Sequence, residues 1–116
     1  MSRRTNTPKG RLVELLADEA ERARRYPGIA FRGPDHRRRA WVIGSPFDVW
    51  EIVRAWQDLG EDAERVCHQL HLNARQLGMA LAYHREFGEE IEHALALARR
   101  TLIELESAFP FFQVQR

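Results

Sequence analysis

Cys67, His68 and His71 set a thiol and two imidazoles within five residues, and these are the donor types that hold zinc. His68 and His71 are three apart, on or just beyond one helix face. A closed site still lacks donors, because Cys67 is the single cysteine and no clear carboxylate completes the set. Cys67 also falls at a periodic apolar position, where it reads more simply as a small core residue. No metal is expected. His84 and His93 are similarly isolated. No Ser-His-Asp or Cys-His arrangement has local support and no Gly-rich phosphate loop occurs, so no catalytic residue and no cofactor is expected.

Two other groups of side chains suit binding rather than catalysis. Arg37, Arg38 and Arg39 form a basic run that either clamps phosphates or keeps a hairpin edge from pairing with other chains. On a strand, Arg37 and Arg39 would point together. Asn73, Arg75, Gln76 and Met79 form the second group, and Arg, Gln and Asn are the side chains best shaped to read guanine and adenine edges.

The elements that must position these groups are legible along the chain. Thr7 as cap, Pro8 at the first helical position and Leu12, Leu15, Leu16 and Ala23 along one stripe predict a first helix, closed by Tyr26-Pro27-Gly28. Arg22, Arg24 and Arg25 oppose its negative carboxyl end. Residues 29–31 and 40–43 are short runs of β-formers around Gly33-Pro34-Asp35-His36, which predicts a small hairpin. Ser45 as cap with Pro46 behind it predicts a second helix that carries Trp50 and Trp56 and is closed by Gly60. Trp41, on the hairpin's apolar face, Trp50 and Trp56 read as core. Residues 63–70 and 74–87 are two further helices across His71-Leu72-Asn73, with Asn73 as cap, a helix-turn-helix whose second helix would enter a major groove. Gly88 breaks or kinks the chain before a last helix, about Glu89 to Ala108, with Ile91, Leu95, Leu102 and Leu105 as its seam. The expected fold class is mainly α: a helix-turn-helix core, one small β-hairpin, and long N- and C-terminal helices.

With 116 residues, one modest core is expected. The organisation reads as a basic helix (1–25), the hairpin and helix-turn-helix (26–88), and a C-terminal helix with aromatic tail (89–116). No apolar run is long enough to span a membrane and no signal peptide is recognisable, so a cytoplasmic location is expected. Residues 1–40 hold eleven Lys/Arg against five Asp/Glu, while residues 41–116 hold seven against twelve. The basic third suits a polyanion and the acidic remainder suits a basic protein partner or simple solubility. Between Pro46 and Phe87, seven acids outnumber Arg54, Arg65, Arg75 and Arg85. Base reading by that unit would therefore require the basic third, dimerisation or both.

The order of "PGIAFRG", "RRAWVIGSPFDVWEIV", an acidic turn, a short helix and "ARQLGMALAYHREFGEEIE" resembles the bacterial domain-of-unknown-function 433 family over Tyr26 to Glu92. The matching residues are Pro27, Gly28, Ile29, Gly44, Val49, Trp50, Ile52, Ala80, Leu81, Ala82, Tyr83, Glu89, Glu90 and Ile91. The resemblance implies an antitoxin of a type II toxin-antitoxin pair: a helix-turn-helix protein that neutralises a PIN-like ribonuclease toxin, binds operator DNA, and catalyses nothing. Two departures stand out. "HQLHLN" replaces the family's usual lead into the recognition helix, and Gly78 sits inside that helix at about 1 kcal/mol relative to alanine, which implies close packing or a reduced DNA role.

Together these readings assign DNA contact to Arg37, Arg38, Arg39, Asn73, Arg75, Gln76 and Met79. Phe109, Phe111, Phe112 and Val114 are assigned to a partner, since a tail so rich in aromatics either folds back or docks by strand addition or groove filling. A homodimer is expected because helix-turn-helix readers span two half-sites. The competing reading is a protein-interaction or dimerisation module of the same fold without DNA binding. A third is an RNA-binding adaptor using Trp41 and the arginines.

Overall fold

A computed structural model describes residues 9–35 and 37–108, apart from the side chains of residues 9, 11 and 12. Thr7, Pro8, the Leu12 side chain and His36 lie outside that description. Among the described residues the fold is mainly helical with one hairpin: α1 (Lys9–Arg25), β1 (Ile29–Arg32), β2 (Arg39–Val42), α2 (Val49–Asp58), α3 (Ala63–Leu70), α4 (Ala74–Glu86) and α5 (Gly88–Ala108). No helix in it is long and apolar enough to cross a membrane.

The hairpin is antiparallel, with Ile29 opposite Val42 and Phe31 opposite Ala40. Successive strand side chains alternate between faces, so these four turn toward the helices while Ala30, Arg32, Arg39 and Trp41 take the other face. The expectation that Trp41 lies on the hairpin's apolar face is therefore corrected. Trp41 is half-buried beneath the Arg32 guanidinium, 4.8 Å from its ring centre.

Serine 45 does not cap α2. Its hydroxyl donates to the Val42 carbonyl (2.9 Å) and accepts from the Phe47 amide (3.1 Å), holding the turn between β2 and the helix. Asp48 is the cap, three residues later, and Glu51 accepts its amide hydrogen at 2.9 Å. Proline 46 thus stands in the turn ahead of the helix, where its missing N–H is harmless.

The core lies where α2 crosses α4 and α5 under the hairpin. Val49, Ile52 and Val53 from α2 meet Ile29 and Val42 from the hairpin, Val66 from α3, Leu77, Ala80 and Tyr83 from α4, and Ile91 and Leu95 from α5. Trp50 and Trp56 pack against this cluster while remaining half-buried. Gly60, at φ +73°, closes α2 in left-handed geometry as expected. The α1 stripe is not sealed: Leu16 is 50% exposed, and inward contact is made near the other end, by Arg22 and Tyr26.

Candidate functional site

Each residue of the His71-Leu72-Asn73 turn has a distinct role in the helix-turn-helix. His71 ends α3 in the left-handed region, at φ 57°. Leu72 enters the core. Asn73 caps α4: its side-chain oxygen accepts the Gln76 amide hydrogen (2.8 Å), and the Gln76 side-chain oxygen accepts the Asn73 amide hydrogen (3.0 Å). This reciprocal box satisfies two N-terminal donors of α4 and engages one lone pair of each side-chain oxygen.

The structure brings Asn73, Arg75, Gln76 and Met79 together. With Pro27, Gly28, Val42 and Ile43 they line a recess of about 280 Å³ between the first turns of α4 and the open end of the hairpin. Arg75 and Asn73 are exposed, Gln76 and Met79 half-buried. The Gln76 amide nitrogen also lies 3.4 Å from the Ile43 carbonyl. Gly44 permits this approach: it sits at φ +89°, and a Cβ there would stand 3.1 Å from that nitrogen. Arg75 is thus the cation of the group that faces solvent.

Arg37, Arg38 and Arg39 are not part of that recess. They sit at the closed end of the hairpin, four strand residues or about 13 Å from its open end. Nor do Arg37 and Arg39 share a strand face, because β2 begins at Arg39 and Arg37 belongs to the preceding turn. Arg38 grips Glu19 of α1 with two hydrogen bonds of 2.8 Å and donates a third to the Gly33 carbonyl. These contacts raise its pKa: the Glu19 hydrogen bond outweighs desolvation. Arg39 donates to Asp48 at 2.7 Å, and Arg32 approaches the other oxygen of the same carboxylate at 2.8 and 2.9 Å. The Asp48 side chain is 6% exposed, so this is a buried anion between two arginines at the start of α2. Two arginines of the run therefore pin the hairpin, one to α1 and one to α2. Arg37 is exposed and has no ion pair among the described residues.

A second charged network was missed in the sequence. Tyr83 is fully buried, donates to Glu90 (2.9 Å) and accepts from Arg22 (2.7 Å). Arg22 also donates to the second Glu90 oxygen at 2.8 Å and lies 3.9 Å above the Phe87 ring. Its Nε is an ion-pair neighbour of Asp18 at 3.0 Å, without the alignment of a hydrogen bond. Burial opposes the Arg22 charge, but the hydrogen bonds to Glu90 and Tyr83 outweigh it and raise its pKa. Burial and the Glu90 carboxylate push the Tyr83 phenol upward. Next to this trio, Arg25 and Tyr26 both hydrogen-bond Glu86. The last turn of α1 is thereby fastened to the junction of α4 and α5, a stronger role than dipole compensation alone. The signal available was a tyrosine on an apolar helix face, which needs a partner for its hydroxyl when buried.

Cys67 is half-buried and lines an apolar groove of about 400 Å³ between α3 and α4, with Ala63, Ala74, Leu77, Gly78 and Leu81. His68 and His71 are exposed, and among the described residues no three His, Cys, Asp or Glu side chains gather around a point. His84 is not isolated, since its Nε2 lies 3.1 Å from Glu92. Among the described residues Gly78 does not serve close packing, because a Cβ there would meet nothing within 4 Å. Phe109, Phe111, Phe112 and Val114 lie outside the described residues. The terminal helices nevertheless carry exposed apolar side chains: Val13 and Leu16 on α1, and Leu97, Ile103 and Leu105 on α5.

Compared with protein-family models, with curated proteins and with solved structures, the chain matches none. The likeness to the domain-of-unknown-function 433 family rests on the residues quoted above.

Proposed function

We propose that this protein is a non-catalytic, cytoplasmic binding module of the antitoxin type, which neutralises a PIN-like ribonuclease toxin stoichiometrically and binds operator DNA as a homodimer. The observation that carries the reading is the α3–turn–α4 pair with the first turn of α4 at the surface and Arg75 open to solvent. A helix-turn-helix reader requires that placement, because side chains of the first turns of its second helix reach base edges while the preceding helix crosses the backbone. The apolar side chains exposed on α1 and α5 supply surface for a protein partner. The toxin's identity as PIN-like comes from the family resemblance.

One set of contacts favours the second reading, an interaction module of the same fold without DNA binding. Arg38 and Arg39 already hold carboxylates, and the side-chain oxygens of Asn73 and Gln76 already cap α4. What is left for DNA is Arg75, Arg37, the side-chain amide N–H groups and the basic amino-terminal segment. Binding of the protein to its own upstream DNA, with and without the product of the neighbouring gene, separates the two. DNA binding should weaken steeply with salt, and Arg75→Ala should lower the slope of log K against log salt by about 1 if Arg75 meets a phosphate. Absence of any salt-sensitive shift in both preparations would leave the interaction reading.

A further inference from the structure

Helix α1 stands outside the core it lies against. Among the described residues every buried apolar side chain comes from Ile29 onward, and α1 supplies none. Leu15 and Ala23 are half-buried, while Val13 and Leu16 face solvent. What holds the helix is charge. Glu19 takes Arg38 of the hairpin through two hydrogen bonds of 2.8 Å. One turn on, Arg22 reaches Glu90 of α5 at 2.8 Å, and Arg25 reaches Glu86 of α4 at 2.6 Å. Tyr26-Pro27-Gly28 joins the helix to β1, and Pro27 and Gly28 are exposed.

The surface under this helix is aromatic. Arg22 lies 3.9 Å above the Phe87 ring and donates to the Tyr83 hydroxyl. Tyr26 meets both rings edge-on, 5.6 Å from Tyr83 and 6.2 Å from Phe87. No carboxylate would be stranded if the helix left, because Glu86 and Glu90 are 39% and 43% exposed and Tyr83 would keep its bond to Glu90. Charges already in contact with water gain little from pairing, and their attraction falls with salt. By contrast, α2 is joined to the hairpin, α3, α4 and α5 by apolar contact, which salt does not screen. Two parts of one chain are thus held by different forces.

We propose that α1 is a strap closed by this charged latch: it opens as a unit about Pro27-Gly28 while the core stays folded, freeing Arg22 and Arg25 and baring the Tyr83–Phe87 face. In the closed form these two cations of the basic amino-terminal third are neutralised by the acidic remainder, and in the open form they are available to anions in solution. Once detached, a helix of 17 residues is marginal in water, so its backbone amides lose protection together. The latch on α4 is at the opposite end of that helix from Arg75, and its test needs neither DNA nor a toxin.

Hydrogen exchange of the full chain, resolved amide by amide, provides the test. The amides of residues 17–25 should share one level of protection, roughly a hundredfold or more below that of α2, whose amides exchange through global unfolding. Raising sodium chloride to about 1 M, where the screening length is about 3 Å, should speed α1 exchange. Glu86→Gln with Glu90→Gln should speed it roughly tenfold or more, although glutamine leaves Tyr83 an acceptor. A core substitution separates the strap from the body. Val53→Ala should speed α2 exchange roughly tenfold or more and leave α1 exchange unchanged, because the core is present in both the closed and the open form. Ile52→Val makes the same comparison with a smaller cavity. Equal protection in α1 and α2, a matching response of both to the core substitution, α1 protection that fades residue by residue from one end, or α1 exchange indifferent to salt and to the latch substitutions each overturns the proposal. Failure of DNA binding by a protein that passes these tests would count against the proposed function alone.

Discussion

Replacing Asp48 by asparagine tests whether the hairpin arginines are structural. The Asp48 carboxylate is nearly inaccessible; it accepts from Arg32 Nε at 2.9 Å and from Arg39 Nε at 2.7 Å, and Arg32 Nη2 stands 2.8 Å away as an ion-pair neighbour. Asparagine keeps the size and a capping oxygen but removes the charge that both guanidinium groups face. Charged hydrogen bonds contribute about 1.5–3 kcal/mol each, but contributions sharing one acceptor do not add. The arginine side chains are 36% and 45% exposed, so water replaces part of what they lose. The expected loss is about 2 kcal/mol, a fall in Tm of roughly 8 °C at about 4 °C per kcal/mol for a chain of this length. Thermal unfolding followed by circular dichroism measures it. The same change made in an Arg32→Ala, Arg39→Ala background should be neutral or stabilising, because Asp48 is there a buried carboxylate without its cations. A wild-type Tm for Asp48→Asn, or an equal loss in both backgrounds, would refute the assignment.

Three further outcomes follow from the contacts. Hydrogen bonds from Tyr26 and then Arg25 hold the Glu86 carboxyl below its ordinary value of 4.5, so the stability it contributes is fully present above that pH and is lost as pH falls through the lower folded value. Glu86→Gln should therefore reduce stability at pH 7 and flatten its decline below pH 4.5 in urea titrations; an unchanged acid limb would count against the Tyr26–Glu86–Arg25 contact. Gly78→Ala should raise stability by up to about 1 kcal/mol, since α4 gains helix propensity and the new methyl meets nothing within 4 Å; a lower denaturant midpoint would mean that the position is closely packed. Asn73→Ala should cost about 1 kcal/mol through loss of the cap, whereas exposed Arg75→Ala should stay within about 0.5 kcal/mol of wild type, and equal losses would erase the distinction between a capping and a presenting residue.

Legibility followed the range of the interaction. Helix α3 and the start of α4 were readable because apolar spacing, the Asn73 cap and a three-residue turn are all coded within a dozen residues. The hairpin was readable because β-formers flank a Gly-Pro turn. The displaced cap of α2 is an instructive error: Ser45-Pro46 is a sound local start signal, but the Ser45 hydroxyl serves the turn, and Asp48 with Glu51 three residues later is an equally good cap in sequence. The site divides in the same way. The grouping of Asn73, Arg75, Gln76 and Met79 on the first turns of α4 follows from helical geometry, whereas the hairpin walls of their recess required the fold.

By itself the sequence determined a mainly helical chain, its hairpin, the paired short helices and the basic character of its amino-terminal third, because hydrophobic period, caps and turn residues act over a few neighbours. Only the tertiary structure decided which charges stay available. Arg22 meets Tyr83 and Glu90 across 61 and 68 residues, and Arg38 and Arg39 meet Glu19 and Asp48 on different helices. An arginine reads alike in sequence whether it faces solvent or a buried carboxylate, and the difference is made by the packing that carries distant anions to it.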